Sequence, residues 1–165
     1  MSRYKGCAEL FKLDTVIRIT SDCPLINTDC INEGIKDYVK EADPYVYVSN
    51  TIQRTYPRGF DFEIFSYETL LDAFINARLP EDLEHVTPYI WKNKSGNIRI
   101  RQICDDSDNS NIRLTLDTME DFTLLKILFE NFDANRLTYV ELVELFRKNA
   151  DLMDINSSVE QKKIG

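Results

Sequence analysis

The sequence predicts a layered α/β fold with a largely parallel sheet. Two observations predict it. Short β-branched runs alternate with segments of helical periodicity along the whole chain. Of the 165 residues, 43% are hydrophobic and 29% charged, enough for one core and a solvated exterior. In open α/β sheets ligands bind beyond the carboxyl ends of the strands, so those ends are where function is to be sought.

The elements follow in order. Thr15 to Thr20 (TVIRIT) is compact and β-branched, and reads as a buried strand. Asn27 or Thr28 caps a helix reaching about Glu41, with Ile31, Ile35, Tyr38 and Val39 on one face, and Asp43 and Pro44 stop it. Tyr45 to Ser49 is a second strand, and Asp61 to Phe65 (DFEIF) a third, alternating apolar and acidic. Ser66 caps a helix with Leu70, Leu71 and Phe74 inside. Pro80 opens a short helix that Pro88 interrupts. Ile98 to Cys104 and Ile112 to Leu116 read as strands around a polar turn, Asp105 to Asn111. Thr118 caps a strong helix with Asp121 in the capping-box place and Phe122, Leu125, Ile127 and Leu128 as its apolar set. A last helix runs from about Tyr139 to Asn149. These elements make one domain over residues 1–150, and 151–165 form a polar tail, of which Asp154 to Gly165 are expected to fray.

Net charge is −8, from 28 acidic and 20 basic residues, which disfavours a general binder of nucleic acid. No stretch reaches the ~18 apolar residues of a membrane span, and the start of the chain has no signal-peptide pattern. The four cysteines, Cys7, Cys23, Cys30 and Cys104, form no C-x-x-C pair and read as reduced, buried small hydrophobes suited to the cytoplasm.

Two predicted strands end alike. The first runs into Ser21-Asp22-Cys23-Pro24, the Ile112 strand into Asp117-Thr118. Two carboxylates at strand ends form a candidate site for one Mg²⁺, which takes hard oxygen ligands and fills the rest of its shell from water and phosphate. A turn cap at Asp22 and a linker at Asp117 account for the same residues without a metal. Strand alternation places Arg18, Thr20 and Asp22 on one face. Tyr56-Pro57-Arg58-Gly59 reads as a turn presenting Arg58, whose planar guanidinium suits a carboxylate. Asp61 and Glu63 share a face, as sugar contacts or as surface charges. His85 is the single histidine, and substrate contact or a structural role fits its helical, apolar setting better than a general base does.

Four blocks carry a resemblance. VIRITSDCPLI (Val16 to Ile26) resembles the "RITGDCPLI" signature of cytidylyltransferases of the spore coat polysaccharide biosynthesis protein F type, relatives of CMP-Kdo and CMP-sialic acid synthetases. Tyr47 to Ser66 is similar to that family's "SN…RTYPRGLDVEVFS" block, Glu84 to Ile90 to "REHVTPYI", and Ile112 to Phe122 to "RLTVDTPEDF". Any one block is weak; four in the right order are specific.

The resemblance implies a Rossmann-like three-layer nucleotide-diphospho-sugar transferase fold, glycosyltransferase-A-like. It implies attack by a sugar-acid hydroxyl on the α-phosphate of CTP, giving a CMP-sugar for surface polysaccharide and pyrophosphate. Asp22 and Asp117 would hold Mg²⁺ and act with Arg18 in catalysis. Tyr56, Arg58, Gly59, Asp61, Glu63 and His85 would bind substrate. Relatives of this type commonly dimerise. Family members also carry, before the first block, a phosphate-cradling loop of the "ARMGSTRLPGK" type. Nothing like it occurs in this sequence. The expectation is therefore an N-terminally incomplete fold with an open strand edge, completed by a homodimer or by a partner chain bringing the missing half.

Three rival readings remain on the residues alone. A non-catalytic remnant that binds a sugar or a partner is the alternative that the missing loop favours. A calcium-binding loop at Asp133-Ala134-Asn135 fails, because Leu137 and Thr138 stand where an oxygen ligand and the required glycine belong. A nicotinamide-dependent dehydrogenase fails for want of any G-x-G-x-x-G.

Overall fold

The computed structural model describes residues 1–160. Helix α1 (Ser2–Leu10) leads into β1 (Thr15–Arg18). Helix α2 (Thr28–Glu41) starts at Asn27, whose side chain accepts from the amides of Asp29 and Cys30, and stops at Ala42 in the left-handed region, one residue before the expected Asp43-Pro44. Strands β2 (Val46–Ser49) and β3 (Glu63–Ser66) follow. Ser66 caps α3 (Tyr67–Asn76) by accepting from the Thr69 amide at 2.9 Å. Then come α4 (Pro80–His85), α5 (Pro88–Trp91), β4 (Arg99–Gln102), α6 (Met119–Phe132), α7 (Tyr139–Lys148) and α8 (Asp151–Asp154). Pro88 opens α5 rather than breaking a longer helix, as proline suits a first turn. Asp133 to Arg136 is a tight helix-to-helix turn.

The sheet order is β1-β3-β2-β4. It is mixed, not largely parallel as the alternation suggests. β3 pairs antiparallel with both β1 and β2, and only β2 and β4 are parallel. The reason lies in the connections. Only loop separates β2 from β3, so the chain simply doubles back. Between β3 and β4 lie three helices, which carry the chain across to run parallel to β2, as parallel neighbours require. Ile112 to Leu116 is not a strand of this sheet either. A single bridge, Arg58 to Arg113, replaces the expected ladder.

Alternation along the central strands feeds two apolar layers. Val46, Val48 and Ile64 face α2, α6 and α7 together with Phe62, Leu114, Leu124, Leu128 and Phe146. Tyr47 and Phe65 face the other way, onto Ala8, Leu70, Ala73 and Ile90 of α1, α3 and α5. The result is three layers, α/β/α.

β1 is an edge and is not buried: Ile17 is 42% exposed, and Ile19 just beyond the strand 45%. The outer side of β1 pairs with no other strand among the described residues. Two apolar assignments shift, one by a single position and one by two. Phe74 and Phe122 lie outside, while Ala73 and Leu124 fill the core. Leu152 of the polar tail lies in the core, and Asn156, where fraying is expected, is buried at 4% exposure. Residues 161–165 of that tail lie outside the described residues. Cys23 and Cys30 are buried as expected, but Cys7 and Cys104 are exposed; all four are free thiols.

Candidate functional site

A cleft of about 530 Å³ opens beyond the carboxyl ends of β1 and β2. Arg18, Asp22, Arg58, Asp61, Glu63, His85 and Asp117 all line it. Seven residues chosen from four separate blocks of sequence thus meet in one place.

The two aspartates are brought together by the backbone. The Leu116 amide donates to the carbonyl of Asp22 at 2.9 Å, which sets the end of the β1 segment beside the end of the Arg113 segment. Asp117 is then held from behind. Arg113 donates from Nη2 to Asp117 Oδ2 at 2.8 Å, and from Nε and Nη2 to the two oxygens of Asp121 at 2.9 Å each. Asn156 Nδ2 donates to Asp121 Oδ1 at 2.8 Å and to the Arg113 carbonyl at 3.1 Å. Burial pushes the Asp121 carboxyl up, but the hydrogen bonds from Arg113 and Asn156 outweigh it and hold the group below the ordinary carboxylate range. Asp121 does not close the expected capping box. Thr118 Oγ1 accepts from its amide, but its carboxylate is spent on Arg113, Asn156 and the Asp117 amide.

No group of three or more histidine, cysteine or acidic side chains forms a metal cage among the described residues. A pair of carboxylates on a cleft is a donor set that fits Mg²⁺, which takes its other ligands from water and phosphate.

The cleft's other charges are largely matched. Arg18 bonds Glu63, and Glu63, 6% exposed, also accepts from the Tyr47 hydroxyl. Burial and the Glu63 charge push the Tyr47 phenol well above its ordinary value, so it stays protonated and donates. Arg54 grips Asp61 with two hydrogen bonds, at 2.6 and 2.7 Å. Asp61 and Glu63 therefore share the cleft face as predicted, but each already has an arginine.

Arg58 differs. Its backbone is clamped, its amide donating to Ile112 O at 2.9 Å and its carbonyl accepting from the Leu114 amide at 2.8 Å. Gly59 follows at φ +101°, where a Cβ would strike the Leu114 carbonyl group at 2.8 Å, so only glycine fits. The Arg58 guanidinium has no ion pair or hydrogen bond among the described residues. Burial, with Arg54 next to it, lowers its pKa from the ordinary value. Gly59 itself serves through this tight turn and does not line the cleft. Tyr56 is likewise not on the cleft. It is 4% exposed, packs on the Tyr139 ring at 5.3 Å, and its hydroxyl donates to Glu33 at 3.4 Å.

His85 ends α4, and its carbonyl accepts from the Thr87 amide at 2.9 Å across Val86, whose φ is +73°. This tight turn is strained for a β-branched residue. It sets His85 and Thr87 on the cleft wall while Val86 is buried in the core.

The sequence reading missed Arg54, Thr115, Thr87 and Trp91 on the cleft, and Arg113, Asp121 and Asn156 behind it. Most of these lie inside the four blocks, which was the available signal. Asn156 had none.

Comparisons with known proteins bear on this site. No protein-family model matches the chain. It is 30% identical over 163 residues to an uncharacterized protein of Methanocaldococcus jannaschii, covering 98% of this chain and 65% of that one. It is 26% identical over 155 residues to the spore coat polysaccharide biosynthesis protein SpsF of Bacillus subtilis, covering 92% and 62%. Its fold matches the solved structure of a cytidylyltransferase from Leptospira borgpetersenii with a TM-score of 0.86 at 30% identity, over 98% of this chain and 66% of that one. The chain thus spans about two thirds of the length of the relatives it matches.

Proposed function

Because the chain belongs to the cytidylyltransferase family of the spore coat polysaccharide biosynthesis protein F type, we propose that it transfers CMP from CTP to the hydroxyl of a sugar acid. The acceptor oxygen bonds to the α-phosphorus, the bond to the bridging oxygen breaks, pyrophosphate leaves, and the hydroxyl proton is released. The product is a CMP-sugar for surface polysaccharide. The observation that carries this reading is the convergence of Arg18, Asp22, Arg58, His85 and Asp117 on one cleft.

Asp22 and Asp117 would hold Mg²⁺, which when bound supplies charge neutralisation for the triphosphate. Arg113 keeps Asp117 in place. Arg58 supplies an unpaired cation for the acceptor's carboxylate, a match of planar fork to planar anion. His85 and Thr87 line the wall against which the sugar lies. Arg18, anchored by Glu63, offers its remaining N–H to an anionic oxygen.

A second reading is a domain that binds a sugar acid or a partner without turning CTP over. One observation favours it: Arg18 and Arg54 are already matched by internal carboxylates, which leaves Arg58 as the cleft's unmatched arginine. The open β1 edge supports pairing with a second copy or with another chain that brings phosphate-binding elements. The free thiols fit a cytoplasmic setting, and no helix among the described residues is long and apolar enough to cross a membrane.

Calorimetric titration with CTP and Mg²⁺, against ATP as control, separates the readings. Saturable binding that prefers CTP supports transfer, and absence of binding supports the second reading.

A further inference from the structure

Among the described residues, two buried side-chain polar atoms have no hydrogen-bond partner: Thr115 Oγ1 and Arg18 Nε. Buried polar atoms are almost always bonded, so an orphan is uncommon. Here both residues line the same cleft. Thr115 is 8% exposed. It stands two residues before Asp117, and both residues line the cleft. Arg18 has its Nη1 fixed by Glu63, so its Nε–H is held in place while remaining unused.

We infer that Thr115 Oγ1–H and Arg18 Nε–H are donors to anionic phosphate oxygens of the bound nucleotide. The inference rests on the nucleotidyltransferase reading. A donor-only N–H requires an acceptor, and a hydroxyl in the same cleft can turn its proton to one. Among the described residues no acceptor reaches either atom, so a ligand oxygen entering the cleft is the acceptor that fits. The position beside Asp117 puts that oxygen next to the carboxylates proposed to neutralise the triphosphate. A buried donor without a partner is destabilising in the empty protein and is satisfied on binding. The chain thus gives up stability at Thr115 in return for affinity.

The test is Thr115→Val, which keeps the side chain's shape and deletes the hydroxyl, with Thr115→Ser as the variant that restores it. Each protein is titrated with CTP and Mg²⁺ by calorimetry and melted without ligand. Thr115→Val should weaken CTP binding about 3- to 10-fold, the loss of one hydrogen bond. It should melt no lower than the wild type, and about 2–4 °C higher if the orphan's full cost is recovered. Thr115→Ser should return affinity to near the wild-type value. Unchanged CTP affinity in Thr115→Val overturns the inference, and so does a loss that Thr115→Ser does not restore. A lower melting temperature in Thr115→Val would mean that the hydroxyl is satisfied within the fold, which also overturns it. A wild-type chain that does not bind CTP is a different result: the nucleotidyltransferase reading then falls, and this inference with it.

Discussion

The Leu116 amide and the Asp22 carbonyl, 2.9 Å apart, join two segments nearly a hundred residues distant and place Asp22 and Asp117 on one cleft. If the pair holds Mg²⁺, neither carboxylate suffices alone. Asp22→Asn and Asp117→Asn should each weaken Mg²⁺-dependent CTP binding by at least about 10-fold, because an amide is a poorer ligand for a hard cation. Titration at fixed CTP and varied Mg²⁺ reads this. Two variants that both bind like the wild type would end the metal assignment.

Arg58 carries an unmatched guanidinium on a backbone clamped from both sides. Replacing it with alanine should raise the KM for the sugar acid about 10-fold or more and leave the KM for CTP nearly unchanged. Lysine should recover little, since an ammonium cannot make the two parallel hydrogen bonds. Steady-state kinetics with each substrate varied in turn decides. An equal rise in both KM values would mean that Arg58 serves the nucleotide.

Asp121 is fully buried against Arg113 and Asn156. Asp121→Asn leaves Arg113 with only part of its counter-charge and should cost about 3–5 kcal/mol in urea denaturation. The pH dependence follows from the direction of the shift. The folded carboxyl has a lowered pKa, so its contribution is present above the unfolded value near 4 and is lost as pH falls through the lower folded value. Wild-type stability should drop below about pH 4, and the variant should show a shallower drop. Parallel acid profiles would show that the network is not the source.

Burial pushes the Cys23 thiol up to about 11 and Cys30 up to about 12. Both remain protonated at pH 8 and are covered by the fold. A thiol-reactive disulfide reagent should therefore label Cys7 and Cys104 quickly in the native protein, and the other two only on unfolding. Mass spectrometry of the labelled chain identifies the sites. Fast native labelling of Cys23 would mean that the cleft floor opens.

Much of the secondary structure was legible because its signals are local. Asn27, Ser66 and Thr118 each sit at the helix start where their short polar side chains belong, and each caps. Strand direction was not legible. Val46 to Ser49 and Glu63 to Ser66 read equally well as parallel or antiparallel, and only the missing helix between them decides. Capping was partly misread at Asp121, whose spacing fits a capping box but whose carboxylate finds a buried arginine instead.

The candidate site divides in the same way. Asp22, Arg58, His85 and Asp117 stood out in the sequence because each belongs to a short block whose residue types and spacing are specific. Tyr56 stood out equally, yet its ring packs on Tyr139, since in a tight turn neighbouring side chains diverge and the sequence does not say which points inward. The chain's own order thus determined where the capped helices start, most of the apolar faces that make a core, and which blocks carry chemistry, since these depend on contacts a few residues apart. The tertiary structure alone decided that Arg18 is held by Glu63 and Arg54 by Asp61, that Asn156 secures Asp121, and that Thr115 is left without a partner. Those outcomes depend on which distant charges and donors the packed layers bring within hydrogen-bond reach, and no local pattern encodes that.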